Sequence, residues 1–179
     1  GEPVPAERFA DHVFGVVLVN DWSARDIQAW EYVPLGPFLG KSFQTSISAW
    51  VTPLALLEEH RVEAPPQDPP VLGYLAAGRD WALDIGLEIE LNGDVISRGN
   101  ARTLYWTMPQ QLAHATSNGA SLRTGDLIAT GTISGPEPGS EGSLIELNQG
   151  AFLEDGDEVV LRGRAGEIEF GEVRGRVLP

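Results

Sequence analysis

One stretch of strict alternation constrains the fold more than any other feature of the sequence. Between Trp81 and Leu91, apolar residues stand at every second position. Successive side chains of a β-strand point to opposite faces, so the pattern predicts a strand with one buried face and one wet face. Asn92-Gly93 follows directly and is the strongest short-range signal for a β-hairpin. The chain is therefore expected to return through Val95 and Ile96 as an antiparallel strand.

Turn and capping signals divide the rest of the chain into short elements. Continuous apolar character from Val13 to Val19 predicts a buried strand. A capping box at residues 107–110 and a left-handed stop at Asn118-Gly119 predict a helix from Met108 to Ser117. Further short strands are expected near residues 126–130, 143–147, 158–161 and 167–177, with a surface loop over residues 64–70. The predicted fold class is mainly β with short helices (α+β).

Composition limits the number of domains and the classes of partner. A chain of 179 residues that is 42% hydrophobic can bury one core, so residues 1–179 are expected to form a single domain. The net charge of −14 opposes binding to nucleic acid or to an anionic membrane surface. The chain contains no cysteine, which excludes disulfides and thiolate metal sites and is compatible with a reducing compartment. Neither a signal peptide nor a membrane span is expected.

Polar side chains with an unusual spacing follow the first predicted strand. If the chain becomes helical there, Asp21, Arg25 and Gln28 fall at i, i+4 and i+7 on one face, and Tyr32 nearly continues the line. A carboxylate, a guanidinium and an amide in this arrangement could hold a cation and donate hydrogen bonds to an oxyanion. For an Asp–Arg pair alone, the simpler interpretation is an exposed helix pair that contributes roughly 0.3–0.5 kcal/mol.

Lys41 favours a binding site over the simpler interpretation of an exposed helix pair. It ends the run Gly36-Pro37-Phe38-Leu39-Gly40, which predicts a rigid, apolar turn bounded by glycines. An ordinary surface lysine has polar neighbours, whereas a lysine in such a turn is partly desolvated. A second cation near Arg25 favours a site for an anionic substrate.

Four stretches of the sequence together resemble the fumarylacetoacetase (fumarylacetoacetate hydrolase) family. They are residues 20–28, 30–43, 105–107 and 131–137. The resemblance covers almost the whole chain, and its first stretch is highly specific. More distant acylpyruvate hydrolases and decarboxylases of the superfamily share only the outline Asn-Asp, then Ala-Arg-Asp. The family's fold implies a mixed β-sandwich or β-roll with short flanking helices.

The resemblance implies roles for the residues of the first cluster. Asp21 is similar to the family's metal-ligating aspartate, and Lys41 and Thr45 are similar to positions around the same Mg²⁺ or Ca²⁺ site. Arg25, Gln28 and Lys41 resemble the group that stabilises the leaving carbanion. The small residue expected after Phe43 is replaced by a glutamine.

Further roles fall on residues that the local sequence alone does not single out. Gln28, Tyr32 and Thr132 resemble the family's substrate contacts. Glu146 resembles the catalytic glutamate that orients a histidine and its attacking water. A glycine-flanked turn like that of Thr132 is common without a ligand. The assignment of Glu146 rests wholly on the resemblance, because a glutamate in an alternating strand usually faces solvent.

The family's catalytic histidine and three further acidic metal ligands have no counterpart in this chain. His12 and His114 are expected to pack or cap structure, and His60 ends an exposed charged run. In the family these missing groups come from an amino-terminal domain and the first part of the catalytic domain. Residues 1–179 are therefore expected to be the carboxy-terminal portion of a catalytic domain, inactive by itself.

The implied activity is metal-dependent hydrolysis of a carbon–carbon bond in 4-fumarylacetoacetate, the last step of tyrosine and phenylalanine catabolism. The products are fumarate and acetoacetate. The resemblance also implies a cytoplasmic homodimer that acts on a small diketo acid. Two alternatives stay open: a relative that acts on another acylpyruvate or β-keto acid, and a non-catalytic module that only assembles with a partner.

Overall fold

A computed structural model describes residues 1–147 and 152–179, and short strands are its commonest regular element. The strands are β1 (Gly15–Val16), β2 (Val19–Asp21), β3 (Thr45–Ile47), β4 (Thr52–Pro53), β5 (Arg61–Val62), β6 (Ala82–Leu83), β7 (Gly86–Leu91), β8 (Asp94–Asn100), β9 (Glu158–Ala165) and β10 (Ile168–Arg176). The α-helices are α1 (Phe9–His12), α2 (Arg25–Glu31), α3 (Leu39–Ser42), α4 (Met108–Thr116) and α5 (Leu144–Leu147). Single 3-10 turns occur at Ala6–Arg8, Leu54–Leu56, Glu58–His60, Gly73–Leu75, Arg79–Trp81 and Ala101–Thr103. The predicted mainly β class with short helices is confirmed.

The largest sheet has four antiparallel strands in the order β10-β9-β7-β8. Asn92 and Gly93 both have positive φ angles, 53° and 93°, and connect β7 to β8 as a two-residue turn. Leu91 stands opposite Asp94 in this hairpin, so the predicted return of the chain is confirmed. The strands predicted near residues 158–161 and 167–177 are also present, as β9 and β10.

The strand predicted from Trp81 to Leu91 is broken in two. Trp81 belongs to a 3-10 turn, β6 pairs with β5, and β7 pairs with β8 and β9. The break lies where the backbone N–H of Ile85 donates to the carbonyl of Leu83. Leu83 and Ile85 are buried as the alternation predicts, but Ala82, which it assigns to the wet face, is buried as well. The alternation cannot mark the change of partner, because pairing depends on distant segments.

The face of β7 predicted to be wet is only half exposed. Glu88 bonds to Arg98 at 3.1 Å, and Glu90 bonds to Arg162. The hydrogen bond that Arg162 donates to Glu90 is the main reason that the pKa of Arg162 lies above its ordinary value. Cross-strand ion pairs therefore cover part of the face that the alternation assigns to solvent.

The buried strand predicted from Val13 to Val19 is likewise two short strands. β1 pairs with β4, whereas β2 pairs with β3, so the run changes its partner between Val16 and Val19. Leu18, between them, is buried and exchanges hydrogen bonds with Ser48 in both directions. The apolar run is consistent with either arrangement, because apolar continuity carries no information about partners.

Helix α4 matches its prediction closely. The Thr107 hydroxyl accepts a bond from the Gln110 backbone at 3.4 Å, and the Gln110 side chain accepts one from the Thr107 backbone at 3.1 Å. Gln110 is 1% exposed, and its amide also donates to the Leu75 carbonyl at 2.7 Å. Gly119 follows the helix with φ at 83°, as the stop signal required.

Two predicted strands are wrong. Residues 126–130 have no regular structure, and residues 143–147 contain the single helical turn α5. A strand is stable only where a neighbouring strand pairs with its backbone, and no strand of the described ranges pairs with either segment. The predicted surface loop over residues 64–70 is present and is tied to α4 by hydrogen bonds between Gln67 and Gln110.

Buried apolar side chains from both ends of the chain meet in one main core. This core packs the inner face of the four-stranded sheet against α1, α4 and the first strands. Its buried members are Val4, Phe9, Leu18, Leu54, Leu57, Trp81, Leu83, Ile85, Ala101, Leu112, Ala165, Phe170 and Val173. Among the described residues, no helix has the length and apolar character needed to cross a membrane.

We expect Thr107→Ala to lower the free energy of unfolding by about 1–2 kcal/mol, because the buried Gln110 N–H loses its acceptor. Urea denaturation followed by circular dichroism measures the change. The exposed Thr124→Ala is the matched control and should shift stability by less than about 0.5 kcal/mol. Equal midpoints for the two variants would contradict a stabilising role for the cap.

Candidate active site

The β2–β3 ribbon brings together the three residues assigned to the metal position. Asp21 lies opposite Thr45 in the strand register, and the Lys41 ammonium donates to Asp21 Oδ2 at 2.9 Å. The side chain of Lys41 is 29% exposed and that of Asp21 is 50% exposed. Water therefore screens their attraction, and the pair stabilises the fold by about 0–1 kcal/mol. Asp21 ends a strand and is not on the helix, so the prediction of one helical face with Arg25 and Gln28 is wrong for Asp21.

Arg25 and Gln28 do share a face of α2. Arg25 Nη1 donates to Gln28 Oε1 at 2.8 Å, and both side chains are half-buried. The helix begins at Arg25 because Ala24 is still extended, and it ends before Tyr32, whose side chain is exposed. An arginine that already bonds one amide keeps further donors, which can bind an anionic oxygen.

Gly40 joins α2 to the segment that carries Lys41. Its carbonyl accepts from the Ala24 backbone at 2.9 Å. A Cβ at Gly40 would lie 2.8 Å from the Gln28 nitrogen and 3.0 Å from its Cα, so only glycine permits this approach. Lys41 itself lies in α3, one helical turn, where the sequence predicted a glycine-bounded turn. The non-helical part of the predicted turn therefore ends before α3. Its residue with positive φ is Gly36, at 89°.

Glu31 was not singled out from the sequence, yet its side chain accepts three backbone hydrogen bonds near the site. Its carboxylate accepts backbone bonds from Phe38 at 2.6 Å, Leu39 at 3.0 Å and Gly40 at 2.7 Å. Partial desolvation acts to raise the pKa of Glu31, but the three backbone donors outweigh it and the pKa lies below its ordinary value. The donors lie seven to nine residues away in sequence, so no local capping pattern could reveal them.

Trp22 anchors the same segment to the main sheet. Its indole N–H donates to the Ser46 hydroxyl at 2.9 Å. Its ring lies against Gly175 of β10, where a Cβ would come within 2.4 Å of Trp22 Cζ2. Asp21 and its neighbours are therefore held by the four-stranded sheet as well as by β3.

Glu146 forms a second cluster with two serines, and Thr132 lies close to the same stretch of chain. The Glu146 carboxylate accepts from Ser134 at 3.0 Å and from Ser143 at 2.6 Å. Glu146 is exposed and lies on α5, where the sequence predicted a strand. Thr132 is exposed beside Gly142, where a Cβ would lie 2.7 Å from Thr132 Cγ2. Among the described residues, no side-chain hydrogen bond links this cluster to Asp21, Arg25, Gln28 or Lys41.

The residues present do not complete a metal site. Within residues 1–147 and 152–179, no group of three or more His, Cys, Asp or Glu side chains could hold an ion. Asp21 offers one carboxylate, whereas a hard divalent cation takes several oxygen ligands. Lys41 is a donor and cannot coordinate a cation, so it acts on such a site only through Asp21. His114 bonds the Tyr74 hydroxyl at 2.9 Å, away from this cluster.

Two features make the first cluster suited to an anion. Lys41 is the sole lysine of the sequence, and with Arg25 it places two cations within one segment of a chain whose net charge is −14. Large apolar side chains occur in the same segment, and several are highly exposed, Trp30 at 89%. A cation beside an apolar, water-excluding surface binds anionic oxygen more strongly than one in open solvent.

Comparison with known proteins places this chain in a family. The sequence profile described as Fumarylacetoacetate (FAA) hydrolase C-terminal matches residues 1–178. A fumarylacetoacetase from Arabidopsis thaliana is 50% identical over 201 residues, which cover all of this chain and 48% of the relative. A fumarylacetoacetase from Homo sapiens is 48% identical over 202 residues, again with 100% and 48% coverage. The chain spans about half the length of the curated relatives it matches.

Solved structures share the same fold. A fumarylacetoacetate hydrolase from Exiguobacterium antarcticum superposes with a TM-score of 0.64 at 22% identity, covering 99% of this chain and 51% of that one. A maleylpyruvate hydrolase from a Sphingobium species, in complex with manganese(II) and pyruvate, has a TM-score of 0.62 at 22% identity, with 99% and 48% coverage. At these identities the likeness shows the fold alone.

We expect Gly40→Ala to destabilise the protein by about 1–3 kcal/mol, because the new methyl would meet backbone atoms of α2 that cannot rotate away. Thermal and urea melting measure the loss. Gly73→Ala is the matched control, since its Cβ meets nothing within 4 Å. That control should be neutral or gain up to about 1 kcal/mol. Equal effects of the two substitutions would show that α2 and α3 do not depend on this contact.

Proposed function

The chain belongs to the fumarylacetoacetate hydrolase family, and from this premise we propose that it is the carboxy-terminal part of a fumarylacetoacetase. The proposed reaction is hydrolysis of 4-fumarylacetoacetate to fumarate and acetoacetate, which ends the catabolism of tyrosine and phenylalanine. The observation that carries the proposal is the arrangement around Lys41, which bonds Asp21 opposite Thr45 while Gly40 packs on the helix of Arg25 and Gln28. Identity of about half to fumarylacetoacetases over the whole chain supports the same substrate.

The chemistry requires a centre that stabilises a leaving carbanion. Water adds through its oxygen to the carbonyl carbon next to the bond that breaks. That bond then cleaves, its electron pair goes to the departing acetoacetate as an enolate, and a proton returns to carbon. Arg25 and Lys41 supply positive charge, and Gln28 supplies an amide donor, where the enolate charge develops. Glu146, held by Ser134 and Ser143, is assigned the orientation of the base that activates water.

Substrate contacts are assigned to residues near both clusters. Gln28 lies in the middle of α2, Tyr32 directly follows the helix, and Thr132 follows a glycine with φ at 77°. The hydroxyl groups of Tyr32 and Thr132 are exposed side-chain donors that a carboxylate of the substrate can reach.

A divalent cation, Mg²⁺ or Ca²⁺, belongs to the proposal. It would supply Lewis acidity toward the diketo oxygens. Asp21 and Thr45 are the residues of this chain that would contact it, with most ligands coming from the part of the protein that precedes the matched region. The manganese complex of the maleylpyruvate hydrolase is a related precedent for a metal in this fold.

The proposed assembly is a cytosolic homodimer in which residues 1–179 form the carboxy-terminal portion of a catalytic domain. Exposed apolar side chains near α2 and α3, including Trp30, Leu35 and Leu39, support the view that another surface covers this side. The absence of cysteine is compatible with the cytosol. The chain alone is proposed to be inactive, since the family's catalytic histidine and its remaining metal ligands have no counterpart among residues 1–179.

We expect the full-length gene product to cleave 4-fumarylacetoacetate, and Arg25→Ala to lower kcat by about 10²–10³-fold with little change in KM. Steady-state kinetics with this substrate and with a simple acylpyruvate give both parameters. Arg98→Ala, which removes an exposed arginine of the main sheet, is the control and should keep wild-type kcat. Preferential cleavage of the acylpyruvate would reassign the substrate, and no cleavage of either would favour a non-catalytic module.

We expect this 179-residue chain to bind Mg²⁺ and Ca²⁺ only weakly, because it provides one carboxylate at the proposed site. Isothermal titration calorimetry of the chain and of the full-length protein compares the two affinities. Asp21→Asn should weaken metal binding by the full-length protein, because it removes one of the carboxylates proposed to hold the ion. Submicromolar binding by the chain alone would show that its own residues complete the site.

A further inference from the structure

The carboxylate of Glu31 accepts hydrogen bonds from three consecutive backbone N–H groups at the beginning of α3. Its Oε1 accepts from Phe38 at 2.6 Å and from Gly40 at 2.7 Å, and its Oε2 accepts from Leu39 at 3.0 Å. Hydrogen bonds to a charged acceptor are roughly twice as strong as neutral ones, and three on one side chain fix a segment in position and orientation. The resemblance assigns Glu31 no role.

A short path of contacts connects these hydrogen bonds to Lys41. The N–H of Gly40 is held by Glu31, its carbonyl accepts from Ala24 at 2.9 Å, and the next residue is Lys41. The Lys41 ammonium then reaches Asp21 at 2.9 Å. Glu31 and Ala24 therefore fix the residue before Lys41 from both of its peptide groups, and the direction of the lysine follows from them.

We propose that Glu31 is a positioning residue: its carboxylate holds the backbone of residues 38–40 so that the ammonium group of Lys41 points at Asp21. This inference rests on the proposed function, in which Lys41 stabilises the leaving carbanion. Through Glu31, α2 also holds Lys41 in addition to carrying Arg25 and Gln28. One helix then sets the relative positions of Arg25, Gln28 and Lys41.

The connecting segment cannot supply this order by its own packing. Between α2 and α3 the side chains of Val33, Leu35 and Phe38 are all exposed. The Gly36 N–H donates to the Tyr32 carbonyl at 2.8 Å, far from Lys41 in sequence, and the Lys41 N–H donates to the Phe38 carbonyl at 3.2 Å, inside the stretch that Glu31 holds. Misplacing a catalytic charge by about 1 Å can cost about a hundredfold in rate, so the anchor matters for chemistry beyond stability.

The single lysine of the sequence allows a direct test on the 179-residue chain. With ¹³C-labelled lysine, one side chain gives the entire Hε–Cε signal in a two-dimensional NMR spectrum. We expect two separate Hε shifts in the wild type, as for a fixed side chain, and a single merged shift in Glu31→Ala. Asp21→Asn provides the reference for a released lysine, and Glu169→Ala removes an exposed carboxylate of β10 as the control.

Glu31→Gln separates positioning from folding. Its amide oxygen can still accept from Phe38 and Gly40, whereas its NH₂ cannot accept from Leu39, so the separation of the two shifts should be partly restored. Dispersed methyl signals in the same samples show that each variant is folded. If Glu31→Ala unfolds the chain, the Glu31→Gln sample decides. A Lys41 signal that is unchanged in the folded variants would overturn the proposal.

Kinetics of the full-length protein provide the second readout. We expect Glu31→Ala to lower kcat by about tenfold or more at nearly constant KM, with partial rescue in Glu31→Gln and none of the loss in Glu169→Ala. A wild type that does not cleave the substrate would refute the proposed function, while the NMR measurement would still decide the contact. A wild type that cleaves and a Glu31→Ala variant with unchanged kcat would refute the positioning role.

Discussion

The close approach of Gly40 to α2 is the contact on which the candidate site depends. A side chain at this position would meet the backbone of Gln28, so the two segments can lie together only because glycine has no Cβ. The contact places Lys41 one residue away from a helix that carries Arg25 and Gln28. Loss of this approach would separate the cations of the site without changing any of them.

The site is held by the main sheet as well as by its own segments. Trp22, next to Asp21, lies over Gly175 of β10 and bonds to Ser46 of β3. A large aromatic ring over a glycine fills the space that a second side chain would need, so the two positions are complementary in size. The β2–β3 ribbon has only three pairs and is short for an independent structure. Its position is therefore set by the larger sheet.

The candidate site carries two positive charges in a chain that is acidic overall. The chain carries 26 acidic and 12 basic residues, yet the first cluster combines Arg25 and Lys41 with the single carboxylate of Asp21. The Lys41–Asp21 pair is too exposed to contribute much to folding, which is consistent with a role in binding rather than stability. The strong contacts nearby are those of Glu31, which act on backbone groups. The charge proposed to act in the chemistry and the carboxylate proposed to position it thus belong to different side chains of one small region.

The sequence by itself determined the elements whose causes are local. The Asn92-Gly93 hairpin and the capping box of Thr107 and Gln110 formed as predicted, because their donors, acceptors and φ angles lie within a few residues. The family resemblance grouped Asp21 with Lys41 and Thr45, which spacing alone did not supply; the three lie together in the structure, and their shared role stays a prediction.

Only the tertiary structure decided which segments pair and what holds them. It broke the alternating strand after Leu83 and left residues 126–130 without a strand partner among the described residues, because a ladder needs a neighbour that periodicity cannot identify. It moved Asp21 from the expected helix into β2 and brought Glu31 to backbone groups seven to nine residues away. Trp22 reached Gly175 across most of the chain. Contacts of this kind depend on the shape of the folded chain, and no local pattern encodes them.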